Sequence, residues 1–352
     1  MKPKSFIRKF IAVVALLLAV CMAAVFLFDP FFQYHRPWFG LKAVLTDKEY
    51  QCPGTLRNFD YDSLIAGSSV TENNNNGWYD SLFGCRTVKA VRSYGATADL
   101  CWMLDTAEKN HTLKYVFYNI DPASLWADAE TTFASSGCPM YLYDSNPLND
   151  YPYWFNKDVL FEKIPYMILR SLQGYDDGES YNWWQSKTFS KADALLHYER
   201  PAETAAMQPE TAKQQELNAN LALLTAQVSA HPDTQYYFFF PPYSVLWWDA
   251  SIRNGERDFT LYNEKQCMKA LLSYPNVKVF CFQTEEETCD LDNYMDSMHF
   301  TPQINQAMAE AMAKGEQEVT ADTVDETIEK LRSLTDEWES DQIPQYASQF
   351  SK

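Results

Sequence analysis

The sequence predicts an α/β fold with a mainly parallel sheet, preceded by one membrane-spanning helix. Two observations carry this reading. Short apolar runs rich in β-branched and aromatic residues alternate with segments of helical periodicity, as strands joined by helical crossovers do. An uncharged stretch from Phe10 to Phe28 also stands near the start of the chain, directly behind a basic cluster.

That cluster, within residues 1–9, holds Lys2, Lys4, Arg8 and Lys9. As a helix, the apolar stretch 10–28 would extend about 28 Å, enough to cross the hydrocarbon core of a bilayer. Positive flanking charge favours the cytoplasmic side. The expectation is therefore a single-pass protein of the cell membrane, with its N-terminus cytoplasmic and its C-terminal body extracytoplasmic. The stretch is longer than the apolar part of a usual cleaved signal, and no small-x-small site separates it from Asp29 and Pro30, so it reads as a retained signal-anchor.

An aromatic stem, 29–58, leads to a body expected at 59–313. Strands are expected at 62–67, 114–120, 235–240 and 276–282, each a short apolar run. Helical spacing marks Leu100, Met103, Leu104 and Ala107, and again Leu217, Leu221, Leu224 and Val228. Such alternation gives a parallel sheet with right-handed crossovers, and ligands bind at the carboxyl ends of its strands. The stretch from about 135 to 205, dense in Tyr and Trp, reads as an insertion covering that edge. From 314 to 352 the chain is acidic and helical, with Val324, Ile328, Leu331 and Trp338 on one stripe.

Charge narrows the functional classes. Of 29 basic residues four precede the apolar segment, leaving 29 − 4 = 25 against 47 acids. A body this acidic repels phosphate backbones, which argues against nucleic acid as a partner. Neutral glycans and small esters remain compatible. The aromatic wealth (22 Phe, 22 Tyr and 10 Trp) serves a thick core or platforms for sugar rings. No HExxH, CxxC or histidine cluster has metal-ligand spacing, so neither a metal nor another cofactor is expected. Seven cysteines lie beyond the anchor, an odd number that cannot all pair, and the sequence does not choose among pairings.

Two segments carry chemistry. In DYDSLIAGSSVTEN the first strand ends at Gly67 and runs into a Gly-Ser-Ser turn. Ser69 there sits at the strand's carboxyl end, with backbone N–H groups nearby that can hold an oxyanion. In YMDSMHFTPQINQAM, Asp296 and His299 stand three residues apart, just before a helix with Thr301 at the N-cap and Pro302 at its first position. An Asp at that spacing can hold the imidazole in the tautomer that accepts a serine proton.

Together, Gly67-Ser68-Ser69 and Asp296-Ser297-Met298-His299 resemble the nucleophile and base blocks of the SGNH (GDSL-like) hydrolases. The segments DPFFQYHRP, YDSLIAGSSVTEN and FFPPYS resemble a membrane-anchored, Gram-positive envelope branch of that superfamily, and the similarity extends over most of 29–313. The resemblance implies a three-layer α/β/α sandwich of flavodoxin-like type, with Ser69, His299 and Asp296 as catalytic residues. It further implies an oxyanion hole from Ser69, Gly95 and Asn119, with Asp121 an alternative match for Asn119, and it marks Asn73 as a candidate substrate contact. Ser68 stands where the family commonly has Asp.

The expected function is a serine esterase acting on O-acyl groups, in first place O-acetyl, of envelope or extracellular glycans. An O-acyltransferase would use the same residues. A third reading is a non-catalytic envelope protein that binds glycan or an assembly partner.

Overall fold

The computed structural model describes residues 3–346 and 348–350. The chain begins with α1 (Pro3–Phe28) and α2 (Lys48–Asn58). Then come β1 (Ser63–Gly67), α3 (Ser69–Glu72), α4 (Asn76–Phe83), β2 (Thr87–Val91), α5 (Thr97–Glu108) and β3 (Tyr115–Asn119). Helices α6 (Tyr151–Trp154), α7 (Ile164–Leu172), α8 (Lys191–Leu196) and α9 (Gln214–Ala230) lead to β4 (Gln235–Phe240). The chain continues through α10 (Val245–Arg253), α11 (Arg257–Leu271) and β5 (Val277–Cys281). It closes with α12 (Pro302–Lys314), β6 (Glu318–Val319) and α13 (Val324–Glu337).

These elements form two units. One joins the chain up to Asp60 with Phe133–Ser180; the other joins Tyr61–Thr132 with everything from Tyr181 onward. The aromatic stretch read as one insertion thus divides at Ser180, its first part belonging with the stem.

The second unit is an α/β domain whose sheet has the order β2-β1-β3-β4-β5-β6, parallel throughout except for β6. β1, β3, β4 and β5 coincide with the expected apolar runs and are buried along most of their length, as strands covered on both faces must be. Right-handed crossovers in this order put α4 on the face opposite α5, α9 and α11. The packing follows that rule: α5 meets α9 and α9 meets α11, while α4 meets α12. The order reverses between β1 and β3, and the crevice outside their carboxyl ends is where ligands bind in such sheets.

Two parts of this domain depart from the expected plan. β2 carries Lys89 in its middle, buried, with Nζ donating to the Glu72 carbonyl (2.7 Å) and to Asn182 Oδ1 (2.6 Å). The tail after 314 is part of the sheet, because β6 pairs antiparallel with β5. Its predicted stripe is buried: Val324, Ile328, Leu331 and Trp338 are all covered, and α13 packs on α10 and α11. Each such side chain contributes on the order of 1.5–3 kcal/mol by leaving water.

In the other unit, α1 is long and apolar enough to cross a membrane and is exposed along most of its length. Protein covers it only near its end, where Val25 is buried. Asp29 then turns the chain with φ +39°, and its carboxylate accepts from the N–H groups of Gln33, Tyr34 and His35 (2.7–3.0 Å) and from the Tyr153 hydroxyl (2.7 Å). No disulfide joins any cysteines among the described residues, so the odd count outside α1 needs no pairing scheme.

Candidate active site

Gly67 ends β1 where a side chain has no room. A Cβ there would lie 2.2 Å from Thr71 Oγ1 and 2.8 Å from Asn119 Cβ. The missing side chain lets α3 fold tightly against the end of β3 and sets Ser69 at the first position of α3, in the crevice between β1 and β3.

The base arrives from the loop before α12. An isolated antiparallel bridge joins Tyr294 to Phe300, and the Met295 N–H donates to the His299 carbonyl, closing a tight loop. Neighbouring segments pin it: Ser244 donates to the Ser297 carbonyl through both its N–H (3.1 Å) and its Oγ (2.9 Å), and the Tyr294 hydroxyl donates to the Pro242 carbonyl (2.6 Å). Pro302 occupies the first turn of α12 as expected. Thr301 stands at the N-cap, yet its side chain makes no capping bond and its buried Oγ1 is without a partner, a correction to its expected role.

The result brings together three of the residues picked from sequence. Ser69 Oγ lies 2.8 Å from His299 Nε2, and His299 Nδ1 lies 2.7 Å from Asp296 Oδ2. The other oxygen, Asp296 Oδ1, accepts from the backbone N–H groups of Met298 and His299, both at 2.8 Å. Burial pushes the Asp296 carboxyl upward, but the bond and charge of His299 and the two N–H donors together hold it below the usual carboxylate range. A carboxylate so fixed keeps the proton of a neutral imidazole on Nδ1 and leaves Nε2 free to accept from Ser69. Trp183 stands edge-on to the imidazole, ring centroids 5.2 Å apart, and shields it.

The remaining candidates are placed differently. The Gly95 N–H is engaged, donating to the Arg92 carbonyl (3.1 Å), although Gly95 lines the cleft. Asn119 is buried with its Nδ2 donating to Thr71 Oγ1 (2.9 Å). Asn73 is buried as well, and its Oδ1 accepts from the N–H groups of Trp183 (3.1 Å) and Trp184 (3.2 Å). Its amide therefore fastens the aromatic loop and does not face the cleft.

Beside Ser69 opens a cleft of about 430 Å³, with Tyr94, Gly95, Asp121, Tyr243, Trp247 and Met298 among its walls. Asp121 accepts from the Tyr243 hydroxyl and from Ser68. Burial raises its carboxyl above the usual range, against the pull of those two donors and of nearby His299. Tyr94 is 87% exposed at the rim, with a left-handed φ of +55°. Among the described residues no Lys or Arg lines this cleft, and Asp121 and Asp128 do, so its wall suits hydroxyl-bearing, uncharged ligands better than anions. Among the described residues, no group of three His, Cys, Asp or Glu side chains gathers to hold a metal ion.

Tyr94, Trp183, Tyr243 and Trp247 were not singled out from sequence. The first three lie in stretches that stand out there, RSYGAT, YNWW and FFPPYS, but nothing local says that these rings converge on Ser69. Compared with protein-family models and with curated proteins, the chain finds no match.

Proposed function

We propose that the chain is an extracytoplasmic, membrane-anchored serine esterase of the SGNH type, acting on O-acyl groups, in first place acetyl, of envelope or extracellular glycans. The observation that carries this reading is the unbroken hydrogen-bonded line from Asp296 through His299 to Ser69. The 2-1-3-4-5 strand order, with Ser69 at its switch point, supports the flavodoxin-like SGNH architecture. The basic cluster before α1 supports a cytoplasmic N-terminus.

In this mechanism Ser69 Oγ attacks the ester carbonyl while His299 Nε2 takes its proton. Asp296 holds the ring and stabilises the imidazolium. The tetrahedral oxyanion is received by the Ser69 N–H, which at the start of α3 has no intrahelical acceptor. His299 returns the proton to the leaving sugar oxygen, and the acyl-Ser69 is cleared by water activated through the same imidazole. A sugar hydroxyl in place of that water makes the reaction a transfer.

One observation favours a second reading, a glycan-binding protein without turnover: the Gly95 and Asn119 donors are both engaged within the protein. The test is the full chain in membranes, wild type against Ser69→Ala, on an activated acetyl ester and on an acetylated glycan. Loss of hydrolysis on the order of 10⁴-fold or more supports the esterase. Equal rates eliminate the Ser69 mechanism, and glycan binding without cleavage or transfer by either form favours the second reading.

A further inference from the structure

The segment 159–172, a π-helical turn running into α7, has apolar side chains on two opposite faces. Val159, Ile164 and Met167 are buried. Ser171 Oγ accepts from the Lys42 N–H (2.8 Å) and Lys163 pairs with Asp47 (2.7 Å), so this side is fastened to the stem. The outward side carries Phe161, Pro165, Leu169 and Leu172 at spacings of four, four and three, one helical stripe. Phe161 is 80% exposed, Leu169 52% and Leu172 81%. A helix on a water-facing surface puts polar residues outward; one that is apolar outward as well meets another apolar phase.

Its neighbours say which phase. Within this unit α6 and the turn Val159–Lys163 both pack on α1. They do so near its end, where Val25 is buried and where Tyr153 of α6 bonds Asp29 and stacks on Phe31. The apolar stretch of α1 ends at Phe28, and at about 28 Å it needs its whole length to cross a core of roughly 30 Å. Elements packed on its last turn therefore sit at the edge of the hydrocarbon. Trp38 and Phe39, both exposed, and the Tyr34–Trp154 pair, hydrogen-bonded at 2.5 Å, add the aromatic residues typical of that boundary.

We infer that the segment 159–172 lies in the bilayer surface beside α1, with Phe161, Leu169 and Leu172 inserted at the headgroup–acyl boundary, giving the protein a second membrane contact. This rests on reading α1 as a membrane span. In-plane helices of this kind bind by burying one apolar stripe.

The test places the full chain in liposomes containing a photoactivatable lipid whose diazirine sits near the acyl carbonyl, followed by peptide mapping. Label in both the α1 peptide and the 159–172 peptide is expected. Phe161→Glu with Leu172→Glu should lose the second label while α1 keeps its own, and the separate variant Leu169→Lys should lose it too. Both sets change exposed residues only, and retained protease resistance checks that the fold survives. Label in α1 alone overturns the inference but not the anchor. Label in neither peptide overturns both, and crosslinking of 159–172 between copies of the chain overturns the inference by assigning the stripe to a protein contact.

Discussion

Asn73→Ala separates a substrate contact from a loop fastener. The Asn73 amide oxygen accepts two backbone N–H groups, at 3.1 Å and 3.2 Å, from Trp183 and Trp184. Alanine leaves both donors without that acceptor. A net loss near 1 kcal/mol for each amide gives about 2 kcal/mol for the pair. Every 1.4 kcal/mol is tenfold in an equilibrium, so local opening of this loop should become about 30-fold more frequent. Peptide-resolved amide hydrogen exchange reads this directly: the 181–186 segment should lose protection, while β4 and β5 keep theirs.

The consequence reaches the site through Trp183, whose ring edge lies against His299. With the loop loosened, water gains access to the imidazole, and kcat should fall along with the protection. If exchange of 181–186 is unchanged and only KM rises, Asn73 faces the substrate and the fastening role assigned from geometry is wrong.

Asp296→Asn keeps the size of the side chain but removes the acceptor that fixes the Nδ1 proton; kcat should drop about 10⁴-fold with the fold intact, and a loss below tenfold would refute the tautomer argument. Glu264 is fully buried, and its Oε2 lacks a partner; burial, opposed by the Gln283 hydrogen bond, pushes its carboxyl up to about 8. A raised folded value means that its contribution to stability is complete below the ordinary value near 4.3 and is lost as pH climbs through about 8. Glu264→Gln should therefore melt progressively higher than wild type between about pH 5 and about pH 8, with no further gain above, and parallel melting curves would contradict this. Tyr94→Gly relieves a left-handed backbone, worth about 1 kcal/mol, at a position whose exposed ring packs little. Stability should rise and KM for a glycan ester should rise with it if the ring is a cleft platform; an unchanged KM excludes the platform.

The parts legible in the sequence were those fixed by local chemistry. Gly67 reads as a strand end because no side chain fits there, and Pro302 reads as a helix start because its ring suits only that turn. Between them they place Ser69 and the Asp296–His299 pair. β2 was not located, because Lys89 breaks its apolar run, and one of the partners that let an amine lie buried there, Asn182, is 93 residues away. The stem's union with 133–180 was hidden for the same reason: Asp29 meets Tyr153 and Tyr34 meets Asp150 across more than a hundred residues. Gly95 and Asn119 were picked as positions, but the direction of an N–H group is set by whichever acceptor is nearest in the fold. Here those acceptors are the Arg92 carbonyl and the Thr71 hydroxyl.

The two halves of the site differ in how firmly they are held, and the difference suits the proposed reaction. The base loop is bridged to itself and fastened from the 242–244 segment by three hydrogen bonds, so His299 has little freedom to leave Ser69. Across the cleft, the root of the 92–95 turn is just as fixed. The Arg92 guanidinium bonds Asp99 (3.1 Å) and Thr132 (3.2 Å), and Asp99 also accepts from the Ala96 N–H (3.1 Å). The tip is not: Tyr94 is exposed and strained, and Gly95 is tied by a single bond back to Arg92. Nucleophile and base must stay aligned to within a hydrogen bond throughout, whereas an oxyanion donor is needed only once the oxyanion forms. In the proposed reaction, such a turn, strained at its tip and anchored at its root, would give up the Arg92 bond to present the Gly95 N–H to the developing oxyanion beside the Ser69 N–H.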